Sequence, residues 1–246
     1  MRGRMVGKTV AITGASRGLG RSLALAFADE GANLVLGART AGEIDELAAL
    51  IGTAVAVATD VRSPEECRRL VEAAEGEFGG LDVVIANAGV AIYGPVESYN
   101  EDDVNAILDT NVKGTIYTCQ AAFAAMKRRR RGHIVAISSI AGKLHLVNES
   151  VYGASKWAVN GYMGVLRQEA ELWGIRVTTV CPGGIDTPFW KEQEFLPFPE
   201  HVDPARDFLK PEDVAATVVR VVTNADRVCE TEVVMLPMLP KPGAPS

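Results

Sequence analysis

Seven short runs of β-branched and small apolar residues recur along this 246-residue chain, separated by longer stretches of helix-forming residues. The strand runs are Thr9–Ile12, Asn33–Gly37, Val55–Ala58, Val83–Ala86, Ile134–Ile137, Arg176–Val180 and Glu232–Leu236. Helices are expected over Gly18–Glu30, Glu43–Leu50, Ser63 to about Phe78, Asp102–Asn111, Val112–Arg129, Tyr152–Trp173 and Glu212–Val222. Strands joined through helices must run parallel, and parallel sheets carry helices on both faces. Right-handed crossovers then wind the chain outward on either side of its first strand. The expectation is an α/β fold: a doubly wound, seven-stranded parallel sheet, with residues 1–246 as one domain. Local signals agree. Gly31 is a natural helix stop, and Ser63-Pro64-Glu65-Glu66 supplies a capping hydroxyl, a proline at the first helical position and acids at the dipole's positive end.

The first strand runs into Thr13-Gly-Ala-Ser-Arg-Gly-Leu-Gly20 and then a helix. Glycines at 14, 18 and 20 let the backbone turn tightly and approach a pyrophosphate, which the helix N-terminus attracts. A glycine triple alone also suits an ordinary turn. Placed between the first strand and first helix of a Rossmann fold, it marks a dinucleotide site.

Other classes are disfavoured. With 48% apolar and 23% charged residues the chain is not disordered, and a net charge of -6 argues against a nucleic-acid partner. The basic run Lys127–Arg131 ends a helix, where cations oppose the dipole's negative end. Cys67, Cys119, Cys181 and Cys229 stand apart among only three histidines, so neither a disulfide scaffold nor a metal site is expected. The short basic start, Met1–Lys8, lacks the apolar stretch of a signal peptide, and no run reaches the ~18 apolar residues of a membrane span. A soluble cytoplasmic protein without a membrane partner is expected. The Pro- and Gly-rich end, Leu239–Ser246, is expected to fray or pack as a loop.

Residues spread over almost the whole chain resemble the short-chain dehydrogenase/reductase family. Thr13–Gly20, with Gly14, Ser16, Arg17, Gly18, Leu19 and Gly20, is similar to its nucleotide motif. Asn87-Ala88-Gly89 resembles its NAG motif, although Ala86 stands where a second Asn is usual. Asp60-Val61 is similar to the pair that contacts adenine. Pro182-Gly183, with Ile185 and Thr187, resembles the segment along the nicotinamide. The cofactor implied is NADP(H) or NAD(H). An NAD enzyme places an acid at the end of the second strand, where this chain has Ala38. Arg39 follows it and Arg17 lies in the glycine loop, so two guanidinium groups could meet a 2′-phosphate. NADP(H) is therefore expected, against two ordinary solvent-facing arginines.

Tyr152 and Lys156 lie four apart on one helix face. A protonated lysine near a phenol is expected to lower a pKa that starts near ~10, making the tyrosine an acid or base. YxxxK alone could be a surface pair, but Ser139 precedes it by thirteen residues at a strand end. The resemblance assigns Ser139, rather than Ser138, to the substrate carbonyl and makes Asn111 the fourth catalytic member. It implies a carbonyl reductase or alcohol dehydrogenase, with Lys156 holding the nicotinamide ribose and Asn111 ordering a water that links Lys156 to solvent. A catalytically silent cofactor-binding regulator or scaffold is the alternative.

Substrate identity is less constrained. Residues 188–210 are long enough for a lid, and Phe189 and Trp190 with Ile92, Tyr93 and Leu146 suggest an apolar or mixed pocket. His145 could touch substrate or be an exposed loop residue, whereas His133 is expected to be structural. Glu232–Pro237 resembles the branch with 3-hydroxy-acid and serine dehydrogenases, with 3-oxoacyl thioesters as the alternative. Trp157–Leu166 is apolar almost all round, so burial on every side is expected. One face should meet the sheet, and the other a partner subunit in a homo-oligomer, a tetramer or dimer.

Overall fold

A computed structural model describes residues 3–238, so the expected frayed end, Leu239–Ser246, lies outside the described residues. The strands are β1 (Thr9–Thr13), β2 (Asn33–Ala38), β3 (Ala54–Ala58), β4 (Val83–Ala86), β5 (Gly132–Ile137), β6 (Ile175–Pro182) and β7 (Glu232–Met235). The helices are α1 (Gly18–Asp29), α2 (Ala41–Ile51), α3 (Pro64–Phe78), α4 (Glu101–Ile107), α5 (Gly114–Arg129), α6 (Ser150–Glu171), α7 (Pro204–Asp207) and α8 (Pro211–Val222). All seven strands pair in parallel, in the order β3-β2-β1-β4-β5-β6-β7. Winding reverses between β1 and β4, which pair through Val10–Val83, Ala11–Val84 and Ile12–Ile85. Ligand crevices in such sheets open beyond the carboxyl ends of the strands at that reversal.

Two apolar layers hold the sheet. One packs Leu23, Phe27, Ile44, Val214 and Val218 from α1, α2 and α8 against Ile12, Leu34 and Leu36. The other packs Leu70, Ala122, Met126, Val159 and Met163 from α3, α5 and α6 against Ala11, Val84 and Ile134. Burying the larger of these side chains contributes about 1.5–3 kcal/mol each. The caps follow the sequence: Ser63 Oγ accepts from the Glu66 amide, and Gly79 closes α3 at φ 75°.

Three expectations are corrected. No helix boundary separates Asn111 from Val112; a π-helical stretch, Leu108–Lys113, joins α4 directly to α5. It carries one wide turn and holds Asn111 buried within it. The 157–166 stretch of α6 is not buried on every side. Val159, Met163 and Leu166 meet the sheet, while Trp157 and Val165 are 46% and 62% exposed. A new short helix, α7, breaks the long loop before α8.

Lys127–Arg131 is a braced helix end. Lys127 lies 4.1 Å from the centre of the Trp173 ring, and Arg128 pairs with Glu75 at 2.5 Å. No helix among the described residues is long and apolar enough to cross a membrane.

Candidate active site

The reversal point opens into a cleft of about 600 Å3. Thr13, at the end of β1, fastens its floor. Its buried hydroxyl accepts from the Asn87 and Ala88 amides at 3.0 and 3.1 Å, and Asn87 Nδ2 donates back to the Thr13 carbonyl at 2.9 Å. The sequence offered Thr13 only as the start of the glycine motif; its role in fastening the loop after β4 depends on a contact between distant segments.

Two glycines are sterically required beside it. A Cβ on Gly20 would lie 2.0 Å from the Gly14 carbonyl oxygen, and one on Gly14, already at φ 64°, would lie 2.9 Å from Ala88 Cα. The first turn of α1 carries no acid and no side-chain cap among the described residues. Its N–H groups therefore face the cleft as an anion-binding end. Ser16, Arg17, Gly18, Leu19, Arg39, Asp60, Val61, Ala88, Gly89, Pro182, Gly183, Ile185 and Thr187 line the same cleft. Ala38 ends β2 as expected and also lines it. An acid does reach this region: Glu43, in the first turn of α2, is part of the lining. The Asp60 carboxylate is not open, because Arg62 holds it through Nε contacts at 3.0 and 2.9 Å and depresses its pKa.

At the far end of the cleft Ser139, Tyr152 and Lys156 come together. Ser139 caps the short turn Ile140–Gly142, its Oγ accepting from the Ala141 amide at 3.1 Å. Ser138 turns instead toward α6, donating to the Lys156 carbonyl at 3.4 Å. Lys156 is buried, and its Nζ donates to the Ile137 carbonyl at 3.2 Å. Asn111 lies just behind the lining. Its Nδ2 donates to the Val90 carbonyl at 2.8 Å and to Ser155 Oγ at 3.0 Å, and its Oδ1 accepts from the Val90 amide at 2.8 Å. Ser155 passes this on to the Tyr152 carbonyl at 2.7 Å. The π stretch thus locks the loop after β4 to the helix turn that carries Tyr152.

The electrostatics correct one expectation. Tyr152 is not lowered: burial pushes its phenol up to about 12, the Ser139 hydroxyl pulls it down, and Glu149 raises it. Lys156 itself falls to about 8 through burial. Its ammonium is committed to the Ile137 carbonyl and sits 5.6 Å from the centre of the Tyr152 ring. In this state the phenol is a proton donor, not a phenolate.

Aromatic rings close the substrate side. Tyr93 stacks on Trp190 at 5.8 Å and meets Tyr152 edge-on at 5.5 Å. Phe189, Phe198 and Phe208 complete the cluster. Trp190 Nε1 donates to the Ile185 carbonyl at 2.7 Å, and Lys210 pairs with Asp186 at 2.8 Å, fixing both ends of the 188–210 segment. Leu146, Phe189, Trp190 and Tyr93 line the cleft as expected. Two residues do not join them. His145 is exposed and stacks on Trp157 at 5.5 Å, and Ile92 turns its carbonyl to the Tyr99 hydroxyl at 3.1 Å. Glu149 also lines the cleft, one turn before Tyr152, and was not anticipated.

A sheet of this order, a glycine turn at its reversal and a Ser-Tyr-Lys cluster beside it define a nucleotide-binding oxidoreductase scaffold. Residues 8–195 match the family model described as short chain dehydrogenase, and the chain belongs to that family of oxidoreductases. It is 32% identical over 233 residues to an uncharacterized oxidoreductase of Staphylococcus aureus (strain USA300), covering 94% of this chain and 97% of that protein. An uncharacterized oxidoreductase of Listeria monocytogenes is 38% identical over 186 residues, 73% of this chain and 75% of that one. Among solved structures, an alcohol dehydrogenase from the archaeon Thermococcus sibiricus complexed with 5-hydroxy-NADP superposes with a TM-score of 0.85 at 25% identity, covering 96% of this chain and 99% of that one. A 3-ketoacyl-(acyl-carrier-protein) reductase from Brucella melitensis complexed with NADH gives 0.85 at 27% identity, covering 93% and 96%. A metagenomic short-chain oxidoreductase in complex with NADP gives 0.81 at 28%, covering 96% and 100%.

Proposed function

We propose that this chain interconverts a ketone and a secondary alcohol with NADP(H), as a carbonyl reductase or alcohol dehydrogenase. The meeting of Ser139 and Tyr152 at one end of a cleft whose other end is the glycine turn carries this proposal. The bound nicotinamide would supply or accept the hydride at the substrate carbon. Ser139 donates a hydrogen bond to the carbonyl oxygen, stabilising the charge that builds there. Tyr152, protonated up to about 12, gives that oxygen its proton in reduction. Lys156 holds the nicotinamide ribose and, through Asn111 and a water, restores the proton to Tyr152. The 188–210 segment acts as the lid.

NADP(H) in preference to NAD(H) is supported by Ala38 at the end of β2 and by Arg17 and Arg39 on one cleft wall. Two of the similar structures are complexed with NADP or its 5-hydroxy form and one with NADH. Glu43 works against the preference, so fluorescence titration of both cofactors in the wild type and in Arg39→Ala decides it. A working homo-oligomer is supported by the uncovered outer side of α6, where Trp157, Val165 and Leu172 are exposed; light scattering showing a stable monomer at micromolar concentration would refute it. In this reading the working compartment is the reducing cytoplasm, to which four free thiols are suited. The test of the chemistry is Tyr152→Phe. It should bind NADPH and reduce no ketone of a carbonyl panel on which the wild type acts; near-wild-type turnover would overturn the assignment.

A further inference from the structure

Glu149 has no part in the chemistry proposed above. It precedes α6, and its side chain makes no cap hydrogen bond. It lines the cleft half-buried, and no hydrogen bond or ion pair joins its carboxylate to another described residue. Its charge opposes ionisation of Tyr93, Tyr99 and Tyr152, three phenols around it. Burial without a partner pushes it up to about 7. An unpaired carboxylate in such a place is costly, and a cation removes that cost.

The walls around it point the same way. Tyr93, Phe189, Trp190, Phe198 and Phe208 line the cleft as one cluster of rings that reaches Tyr152 through Tyr93. Aromatic faces attract cations, most strongly where water is excluded. The basic lining residues among those described are Lys156, which is tied to the Ile137 carbonyl, and Arg17 and Arg39 on the glycine-turn side. A substrate carboxylate would meet Glu149 with no arginine or lysine to receive it. This disfavours the 3-hydroxy acids that the Glu232–Pro237 segment suggests.

We infer that the substrate is a cationic amino ketone or amino alcohol, whose ammonium is received by Glu149 and the aromatic rings while its carbonyl or hydroxyl faces Ser139 and Tyr152. The inference rests on the proposed reaction for where the carbonyl sits. Glu149 precedes Tyr152 by three residues, at the opening of α6, and both line the cleft. The nitrogen should therefore lie a few bonds from the carbonyl carbon, as it does across a six-membered ring.

Two ketones of nearly one shape test this: 1-methyl-4-piperidone, protonated at neutral pH, and 4-methylcyclohexanone, which carries no charge. Calorimetry on protein saturated with NADP+ reads their binding without turnover. The wild type should bind the piperidone at least about tenfold more tightly, the scale of one hydrogen bond to a charged group. In Glu149→Gln the ratio of the two affinities should fall to near one. Equal affinities in the wild type, or a preference that survives Glu149→Gln, would overturn the inference. Reduction of the same ketones by NADPH is followed separately. Reduction of both without any preference in binding rejects the amine and leaves the reductase standing. Binding that depends on Glu149 without reduction of any ketone in the panel rejects the reductase and leaves the amine site standing.

Discussion

Replacing Thr13 by valine exchanges a hydroxyl for a methyl of nearly the same size. The hydroxyl accepts from two backbone amides, Asn87 and Ala88, at 3.0 and 3.1 Å, in a residue that is 1% exposed. Both N–H groups, on half-buried residues, lose this partner. An orphaned buried donor costs about 1–3 kcal/mol, giving roughly 2–6 kcal/mol for the pair. The added methyl offsets about 1 kcal/mol through burial. A net loss of about 1–5 kcal/mol is expected. For a domain of this size that corresponds to a fall of roughly 2–20 °C in Tm. Thr13→Ser keeps the oxygen and is the control. Urea and thermal unfolding of the three proteins would read the difference, with NADPH titration to follow the cleft floor. A valine variant that melts within about 2 °C of the serine variant would refute the claim that this oxygen joins β1 to the end of β4.

Further outcomes follow from the same structure. Gly20→Ala drives a Cβ to 2.0 Å from the Gly14 carbonyl oxygen, so NADPH binding by fluorescence should weaken by at least tenfold, and an unchanged affinity would show that the turn yields. Burial holds His133 near 3, with Nε2 toward Thr178 at 2.8 Å and Nδ1 without a partner, so the folded ring is neutral. The unfolded chain takes up that proton below about pH 6.5, so stability falls as pH drops from there toward 3. The loss reaches about 2 kcal/mol by pH 5, and urea unfolding of His133→Gln should lack that part of the slope. Lys156 at about 8 should make kcat/KM for reduction fall above that pH as its ammonium deprotonates, whereas a profile flat to pH 10 would contradict its role.

The sheet was readable because each strand is a short apolar run and each crossover a helix, two periods that tertiary packing seldom overrides. The glycine turn and Ser139, Tyr152 and Lys156 were readable because their chemistry follows from spacing along one loop or one helix face. Spacing does not report burial, and there the expectations failed. Tyr152 is raised because it is buried beside Tyr93, a contact between distant parts of the chain. Glu149 is invisible for the same reason: a glutamate before a helix is commonplace until the cleft forms around it. His145 and Ile92 were placed by nearness in sequence, and the loops turn them elsewhere. The π stretch at Leu108–Lys113 leaves no compositional trace, since its residues read as ordinary helix.

The pairing of β1 with β4 gives the cleft two unequal donors. β1 to β3 and their loops bring the glycine turn and Arg39; β4 onward brings Asn87, Asn111, Ser139, Tyr152 and the lid. Neither portion encloses the cleft by itself. If the chain were severed in the loop between α3 and β4 and supplied as two fragments, any recovered cofactor binding would require β1 and β4 to find each other in register. The cleft is thus a built-in reporter of fragment complementation, silent until the central seam of the sheet has closed.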